Sequence, residues 1–392
     1  MDNPIWGRDW KDVRANWTLD PEVTFLNHGS FGATPRPVLE MQTRLRAQME
    51  RQPVRFLDRT LRPMLDESLA AVGVLLGTSA KNLAFVPNAT CGINSVIKSL
   101  RFEPGDELLI VEHGYGAIIK TLQCVADRTG AKVVRVPIAF PVESPEEIVR
   151  AIVGAINERT RFVVIDQITS PTALILSVKP IIDECRQRGI LAMVDGAHAP
   201  GMVPLDLDAM GPDFWSGNLH KWVCAPKGAA VLYVRPELAC KIEPVVTSHN
   251  FTMKFPEEFF WTGTDDPTAY ICARGAIEFM AGLGWPRVHA HNHMLARYGR
   301  RVIAEAIGGS LPVPDSAQYY GSMAIIEFPQ KVKFATIEEA RDFQNRLYDQ
   351  HRIEVPITMI DGRSFVRISA QVYNAPEQYE RLGAALASML GR

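Results

Sequence analysis

The stretch ILAMVDGAHAPGMVPLDLDAMGPDFWSGNLHKWVCAPKGAAVLYV, at residues 190–234, determines the fold predicted for this chain. It holds three strand-like runs, ILAMV, DFWSGNL and GAAVLYV, and polar groups follow the first two: Asp195 follows ILAMV, and His220-Lys221 follow DFWSGNL. These runs do not alternate apolar with polar residues, which is the pattern of strands buried on both faces. We therefore predict strands of a covered sheet here, with Asp195 and Lys221 on neighbouring strand ends.

The same pattern extends upstream to about residue 60, where helix-like stretches alternate with short apolar runs such as DELLIVEH and TRFVVIDQI. Strands that alternate with helices imply right-handed crossovers and a mainly parallel sheet. After about residue 265 the pattern becomes α+β. The predicted fold class is α/β, with an N-terminal segment (1–20), a large domain (21–265) and a smaller C-terminal α+β domain (266–392).

Composition excludes several classes of protein. The 392 residues are 47% hydrophobic and have a formal net charge of -2. This apolar fraction is too high for a disordered chain, and the balanced charge provides no field that attracts nucleic acid or an anionic membrane. The first ten residues lack the features of a signal peptide, and the six dispersed cysteines contain no CxxC pair. We expect a cytoplasmic protein with reduced thiols, without nucleic-acid or membrane partners.

The candidate site lies at the strand ends, because ligands of parallel sheets bind there. Lys221 has the apolar neighbours Trp215, Leu219 and Trp222 in sequence, and an amine removed from water has the lowered pKa that Schiff-base formation needs. A buried carboxylate at Asp195 requires a cation as partner. The protonated ring nitrogen of pyridoxal phosphate is such a cation.

The segment Asn88-Ala89-Thr90 precedes a helix-like stretch and offers the phosphate of that cofactor a helix N-terminus and a hydroxyl group. Taken singly, each feature has an ordinary structural explanation. Lys221 could be a surface lysine, Asp195 a turn residue, and Asn88 a simple helix cap. Their joint order, each at a predicted strand end, is what indicates pyridoxal 5'-phosphate.

The chain resembles class V aminotransferase-fold enzymes in seven stretches: FLNHGSFGATP (25–35), NATCGINSVI (88–97), HGYGA (113–117), VDGAHAPGMVPLDL (194–207), PDFWSGNLHKWVCAPKGAAVLYV (212–234), WTGTDDPTAY (261–270) and VRISAQVYN (366–374). The resemblance is to the isopenicillin N epimerase-like subgroup, which is related to hercynylcysteine sulfoxide lyases and cysteine desulfurases. It implies the aspartate aminotransferase-like architecture (fold type I) of pyridoxal-phosphate-dependent transferases, and a homodimer.

The resemblance also implies roles for residues around the cofactor ring. Lys221 would carry the internal aldimine, Asp195 would pair with the pyridinium nitrogen, and His198 would lie near the phenolic oxygen. Ser170 would be another contact to that oxygen. Tyr115 matches the residue that stacks on the ring and can act as an acid or base, and we rank it above His113.

Further roles are implied for the phosphate and the substrate. Thr90, Asn218 and His220 would bind the phosphate, together with the backbone of Ala89. Thr264 of the partner subunit would contribute to the phosphate site. Two residues would bind the substrate: Arg367 would clamp an amino-acid carboxylate, for which its planar guanidinium is suited, and Asn27 would assist it.

The expected activity is chemistry at Cα of an amino acid or amino-acid-like substrate, in the manner of isopenicillin N epimerase. A carbon–sulfur lyase resembling the cysteine desulfurases, or an aminotransferase, is the alternative. A desulfurase nucleophile is missing from EVPITMIDGRSFVRIS (354–369), so persulfide formation would require Cys224 or Cys272 to reach the site. A non-catalytic binding protein of the same fold is disfavoured, because Lys221, Asp195 and Arg367 are intact.

The histidine run His289, His291 and His293 does not predict a metal site. Residues i and i+4 of a helix share a face, whereas i+2 does not, so the three side chains would not converge on one ion. We predict a solvated helix face there and expect no metal.

Overall fold

A computed structural model of the protein describes residues 9–392. The absence of a signal peptide is a prediction from the first ten residues. Most of these residues lie outside the described residues, and so does the start of the predicted N-terminal segment. In residues 9–392, no helix is both long enough and apolar enough to cross a lipid bilayer.

The strands are numbered in chain order: β1 (Thr24–Phe25), β2 (Leu83–Val86), β3 (Glu107–Val111), β4 (Lys132–Val136), β5 (Thr160–Asp166), β6 (Leu191–Asp195), β7 (Phe214–Asn218), β8 (Ala230–Val234), β9 (Met323–Glu327), β10 (Ile353–Glu354), β11 (Ile357–Ile360) and β12 (Arg363–Ser369). The α-helices are α1 (Asp9–Arg14), α2 (Arg36–Arg51), α3 (Leu61–Leu76), α4 (Ala89–Ser99), α5 (Gly116–Thr129), α6 (Pro145–Ala155), α7 (Val178–Gln187), α8 (Leu207–Met210), α9 (Glu257–Phe260), α10 (Thr268–Leu283), α11 (Trp285–Ile307), α12 (Ile337–His351) and α13 (Pro376–Met389).

A seven-stranded sheet in the order β2-β8-β7-β6-β5-β3-β4 forms the centre of the protein. Its pairs β3–β4, β3–β5, β5–β6 and β6–β7 are parallel, whereas β8 runs antiparallel to both β2 and β7. Every residue of β3, β7 and β8 is buried, as expected for strands covered on both faces. The predicted α/β class with a mainly parallel sheet is confirmed.

The sheet brings the carboxyl ends of several strands to one edge. β5 ends at Asp166, β6 at Asp195 and β7 at Asn218, and β6 is paired with both of its neighbours. Strand β2 has the same direction as β7, because each is antiparallel to β8. The start of α4, which follows β2, therefore joins the same edge.

The C-terminal part contains a three-stranded antiparallel sheet in the order β11-β12-β9, against which α11 and α12 pack. Strand β1 pairs in parallel with β10, so the chain around residue 25 lies beside residues 353–354. Helix α10 packs on α2 and α3. This arrangement places β12, with Arg367, within reach of the segment that follows β1. The domain boundary at residue 265 stays a prediction.

The solvated face predicted for the histidine run is wrong at His291, which is buried in α11 with both ring nitrogens unpartnered. His291 is three residues after Val288 and four before Leu295, and both of these are buried. That spacing places it on the inward face of the helix. Among the described residues, no group of three potential metal ligands occurs.

Candidate active site

A pocket of about 570 Å³ opens at the edge of the sheet where these strands end. Nine of the residues proposed from sequence line it: Ala89, Thr90, Tyr115, Ser170, Asp195, His198, Asn218, His220 and Lys221. They come from five separate segments of the chain, which the sheet topology brings together. The pocket is therefore the candidate cofactor site.

Lys221 has an unusually weakly basic amine. Its Nζ lies 3.1 Å from Nε2 of the buried His198. Removal from bulk water, and secondarily the positive charge of Arg367, lower the pKa of Lys221 to about 7, against a weaker opposing effect of Asp195. Burial also holds the pKa of His198 well below its usual value, so this imidazole is neutral. A lysine with such a pKa is a good nucleophile near neutral pH.

Asp195 is a buried carboxylate whose structural partner is a backbone amide: the N–H of Ala197 donates to Oδ1 over 3.0 Å. Burial raises the pKa of Asp195 to about 6, while the Ala197 hydrogen bond and the Lys221 charge oppose the rise. No ion pair to Asp195 is present in residues 9–392. His198 has a buried Nδ1 without a partner. An anionic group and an unpaired ring nitrogen in one pocket fit the cation and the phenolic oxygen of pyridoxal phosphate.

Another part of the pocket is built around the start of α4. Asn88 caps this helix by accepting a hydrogen bond from the N–H of Cys91 at 2.8 Å. The N–H of Ala89 already donates to Asn218 Oδ1 at 2.9 Å, so this amide has a partner within the protein. His220 donates from Nδ1 to the carbonyl of Ala229 at 2.8 Å, which leaves its Nε2 for the pocket. A helix N-terminus with these side chains fits a phosphate group.

Arg367 is a buried cation that has only neutral partners. Its Nη2 donates to Ser30 Oγ at 2.7 Å, and its Nη1 donates to the carbonyl of Ser170. Its Nε has no partner, and it forms no ion pair with a carboxylate of the described chain. Burial lowers the pKa of Arg367 to about 10. Because a buried charge is costly unless it is paired, the site fits an incoming carboxylate.

Asn27 lies beside this guanidinium: its Oδ1 accepts from Arg367 at 3.4 Å and its amide donates to Glu354 at 3.1 Å. Glu354 thus pairs with Asn27 and not with Arg367. Neither Arg367 nor Asn27 lines the pocket wall itself, but Ser30 and Ser170, the partners of Arg367, do.

The segment after β1 also holds the backbone of Lys221. His28 is buried, and its Nε2 donates to the carbonyl of Lys221 at 2.9 Å, since a carbonyl only accepts. Nδ1 of His28 then accepts from the hydroxyl of Tyr373 at 2.7 Å. Burial lowers the pKa of His28 to about 3, so it stays neutral. Gly32 packs so closely that a Cβ there would meet the carbonyl oxygens of His220 and Lys221 at 2.5 and 2.6 Å.

We expect Gly32→Ala to displace Lys221, because both contacting oxygens belong to the backbone and cannot move aside independently. The free energy of unfolding of the apoprotein should fall by about 1–3 kcal/mol, and affinity for pyridoxal phosphate should fall with it. Gly154→Ala is the matched control: no atom lies within 4 Å of a Cβ at this helical glycine. Chemical denaturation should show it equal to or more stable than wild type, by about 0.5–1 kcal/mol. Equal behaviour of the two variants would contradict this packing.

Tyr115 and His113 occupy different environments. Tyr115 lines the pocket and is 44% exposed, whereas His113 is buried outside it, bonded to Thr172 at 3.1 Å and stacked on Phe140. This placement supports ranking Tyr115 first. Thr264 is exposed and does not line the pocket of its own chain.

The lining residues that sequence reasoning missed include one aromatic and three polar side chains: Phe31, Ser30, Asp166 and Lys227. Asp166 follows an apolar run as Asp195 does, but the strand was predicted to continue to residue 168. Ser30 lies in a motif from which only Asn27 was chosen. Lys227 is exposed at the pocket rim and could have been found as a second lysine between β7 and β8.

Cysteine nucleophiles are absent from the described lining of the pocket. Cys224 and Cys272 are both buried, and burial raises the pKa of each thiol to about 12. Neither is placed or ionised for the formation of a persulfide on the enzyme.

A family model described as aminotransferase class-V matches residues 40–382. The chain belongs to the class-V aminotransferase family. It is 32% identical to isopenicillin N epimerase of Streptomyces clavuligerus, with 98% of this chain and 99% of that protein aligned. It is 31% identical to putative L-cysteine desulfhydrase 1 of Oryza sativa subsp. japonica, over 94% of this chain and 83% of the relative.

Solved structures show the same fold. A Lys-to-Ala mutant of the lyase C-DES, with glycine covalently linked to its PLP cofactor, superposes with a TM-score of 0.82 at 18% identity, covering 95% of this chain and 98% of that one. The cysteine desulfurase CsdA of Escherichia coli has a TM-score of 0.77 at 20% identity, with 97% and 98% covered. Membership of the family makes this chain a pyridoxal-phosphate-dependent enzyme of fold type I, as expected from its sequence.

Proposed function

We propose that this enzyme removes the Cα proton of an amino acid or amino-acid-like substrate, in the manner of isopenicillin N epimerase, with pyridoxal phosphate attached at Lys221. One observation carries the proposal: an amine with a pKa of about 7 lines the same pocket as the serine partners of an unpaired, buried guanidinium. The first is a base suited to neutral pH, and the second is a site for an amino-acid carboxylate.

The guanidinium of Arg367, whose Nε has no partner in the protein, binds the substrate carboxylate, while Ser30, Ser170 and Asn27 hold its terminal nitrogens in place. Fixing the carboxylate orients the Cα–H bond of the substrate relative to Lys221. Thr90, Asn218 and His220 hold the phosphate, and Asp195 pairs with the ring cation. Bound pyridoxal phosphate supplies an electron sink that stabilises negative charge at Cα.

Proton transfer then falls to Lys221 on one face of the substrate. Its amine needs no strong base to become neutral, because burial has already lowered its pKa. Epimerisation requires a second acid on the other face. Tyr115 is the candidate, since its side chain is partly exposed within the pocket.

Carbon–sulfur bond cleavage is the second candidate function. The desulfhydrase relatives suggest it, and the absence of a cysteine from the described pocket lining favours a lyase that releases its sulfur product directly. Elimination needs the same Lys221 and Arg367, so the two reactions differ in the substrate side chain and not in these residues. An aminotransferase would also use them.

The holoenzyme is expected to be a cytoplasmic homodimer in which Thr264 contributes to the phosphate site of the other subunit. Thr264 is exposed and lies outside the pocket of its own chain. The nearby segment before it exposes four large apolar side chains, which a second subunit would cover: Val245, Val246, Phe251 and Met253. Light scattering of the purified protein tests the dimer, and a monomer that binds the cofactor fully would contradict it.

A panel of L- and D-amino acids incubated with the enzyme in deuterated water tests the function. Deuterium at Cα with inverted configuration indicates epimerisation, whereas sulfide and pyruvate from cysteine indicate elimination. Transfer of the amino group to the cofactor indicates transamination. Failure of every amino acid to exchange its Cα proton, by a protein that binds pyridoxal phosphate, would contradict the proposal.

Near pH 7, pyridoxal phosphate should attach to the apoprotein at half of its maximal rate. The neutral amine is the nucleophile, and about half of Lys221 is neutral at its pKa of about 7. An ordinary lysine with a pKa of about 10.4 would be less than about 0.1% neutral there. Absorbance after mixing apoprotein with pyridoxal phosphate gives the rate, which should rise with pH and level off above about pH 8. A rate that still climbs tenfold per pH unit at pH 9 would contradict the lowered pKa.

A further inference from the structure

A second buried carboxyl group lies beside Asp195. Asp166 ends β5 as Asp195 ends β6, and the two are register partners in the parallel pair. Side chains of register partners emerge on the same face of a sheet, from strands about 4.8 Å apart. Both residues line the pocket, with exposures of 2% and 4%. The hydrogen bond from the Gln167 N–H to the Asp195 carbonyl, at 2.8 Å, holds this register.

The two carboxyl groups have different surroundings. The backbone N–H of Tyr115 interacts with the Asp166 carboxyl, but Oδ2 of Asp166 is buried and has no partner. The charge of Lys221 acts on Asp195 and favours its ionised form, whereas the main electrostatic influence on Asp166 is the negative charge of Asp195. Two adjacent carboxylates in a buried site cannot both ionise readily. The proton therefore belongs on Asp166.

We propose that Asp166 is a positioning residue that works as a neutral acid, donating its proton from the free Oδ2 to the Asp195 carboxylate. The inference rests on the proposed role of Asp195 as partner of the cofactor ring. Burial and the adjacent negative charge raise the pKa of Asp166 well above its usual value, in agreement with a protonated group.

The pair then presents one negative charge to the single positive charge of the ring. A second anion would have to be desolvated without a cation of its own, which is costly. The donated hydrogen bond also orients Asp195. Through its other contact, Asp166 links this carboxylate to the backbone of Tyr115, and so connects two walls of the pocket.

The same substitution at the two neighbouring positions should give opposite results. Asp166→Asn keeps a donor toward Asp195 and an acceptor toward the Tyr115 N–H, and removes no charge if Asp166 is neutral. We expect its dissociation constant for pyridoxal phosphate, measured by equilibrium dialysis of apoprotein, to stay within about threefold of wild type. Asp195→Asn removes the anion and should weaken binding about 100-fold. Asp166→Ala loses the donor and should weaken binding about tenfold.

Infrared difference spectra of wild-type holoenzyme provide a second readout that does not depend on the folding of a variant. Protein labelled with ¹³C at aspartate carboxyls should show the carbonyl band of a protonated carboxylic acid, and Asp166→Asn should lack that band. The inference would be overturned if Asp166→Asn bound pyridoxal phosphate as weakly as Asp195→Asn does, or if the wild-type protein lacked the band. Wild-type protein that binds no pyridoxal phosphate would instead overturn the proposed function.

Discussion

Lys221→Ala should leave a protein that binds pyridoxal phosphate only reversibly and has lost its activity. The substitution removes both the amine that attaches the cofactor and the base that takes the Cα proton. Loss of a general base alone costs about 10²–10⁴-fold, so we expect kcat to fall at least about 100-fold. The yellow colour of the attached cofactor should disappear after dialysis, and Cα deuterium exchange should stop.

Lys227→Ala is the control for this variant, because Lys227 lines the same pocket at its rim. We expect Lys227→Ala to keep the covalent attachment and the yellow colour. A Lys221→Ala protein that retains the colour after dialysis while Lys227→Ala loses it would transfer the role of the attachment site to Lys227.

Arg367→Ala should be the second most damaging change. It leaves the substrate carboxylate in a buried site without its cation, for which truncation costs about 2–5 kcal/mol. The expected loss in kcat/KM is between about 30-fold and about 5,000-fold for amino acids. An amine that lacks the carboxylate should react equally slowly with the variant and the wild type, which separates substrate binding from general damage.

Arg363→Ala is a matched control on the same strand, four residues before Arg367. Its guanidinium is already paired with Glu327 at 2.6 Å and is partly exposed. Since such pairs contribute about 0–1 kcal/mol, kcat/KM should remain within about fivefold of wild type. An equal loss in both variants, or none in Arg367→Ala, would remove Arg367 from the substrate site.

The strand ends could be predicted from sequence because most of the sheet strands contain a short apolar run that stops at polar residues. Asp195 and Lys221 were found in this way, and the topology does bring them into one pocket. Asp166 was missed because the predicted strand continued through Gln167 to Ile168, beyond the last paired residue. A run of residues does not reveal where hydrogen bonding to the next strand ends.

Contacts between distant segments could not be predicted in this way. Ser30 and Arg367 are 337 residues apart, and His28 and Lys221 are 193 apart. These pairs exist because β1 joins β10 and brings the N-terminal segment against both the C-terminal sheet and the Lys221 loop. No local pattern encodes such packing. The same reason explains His291, whose burial depends on what α11 packs against.

We expect Lys221 to be the one lysine to which pyridoxal phosphate is covalently attached in this pocket. The most direct measurement is borohydride reduction of the protein loaded with pyridoxal phosphate, followed by proteolysis and mass spectrometry. We expect one pyridoxyl group per chain, on the peptide that contains Lys221. Modification of a different lysine, or none at all in protein that has been saturated with the cofactor, would contradict it.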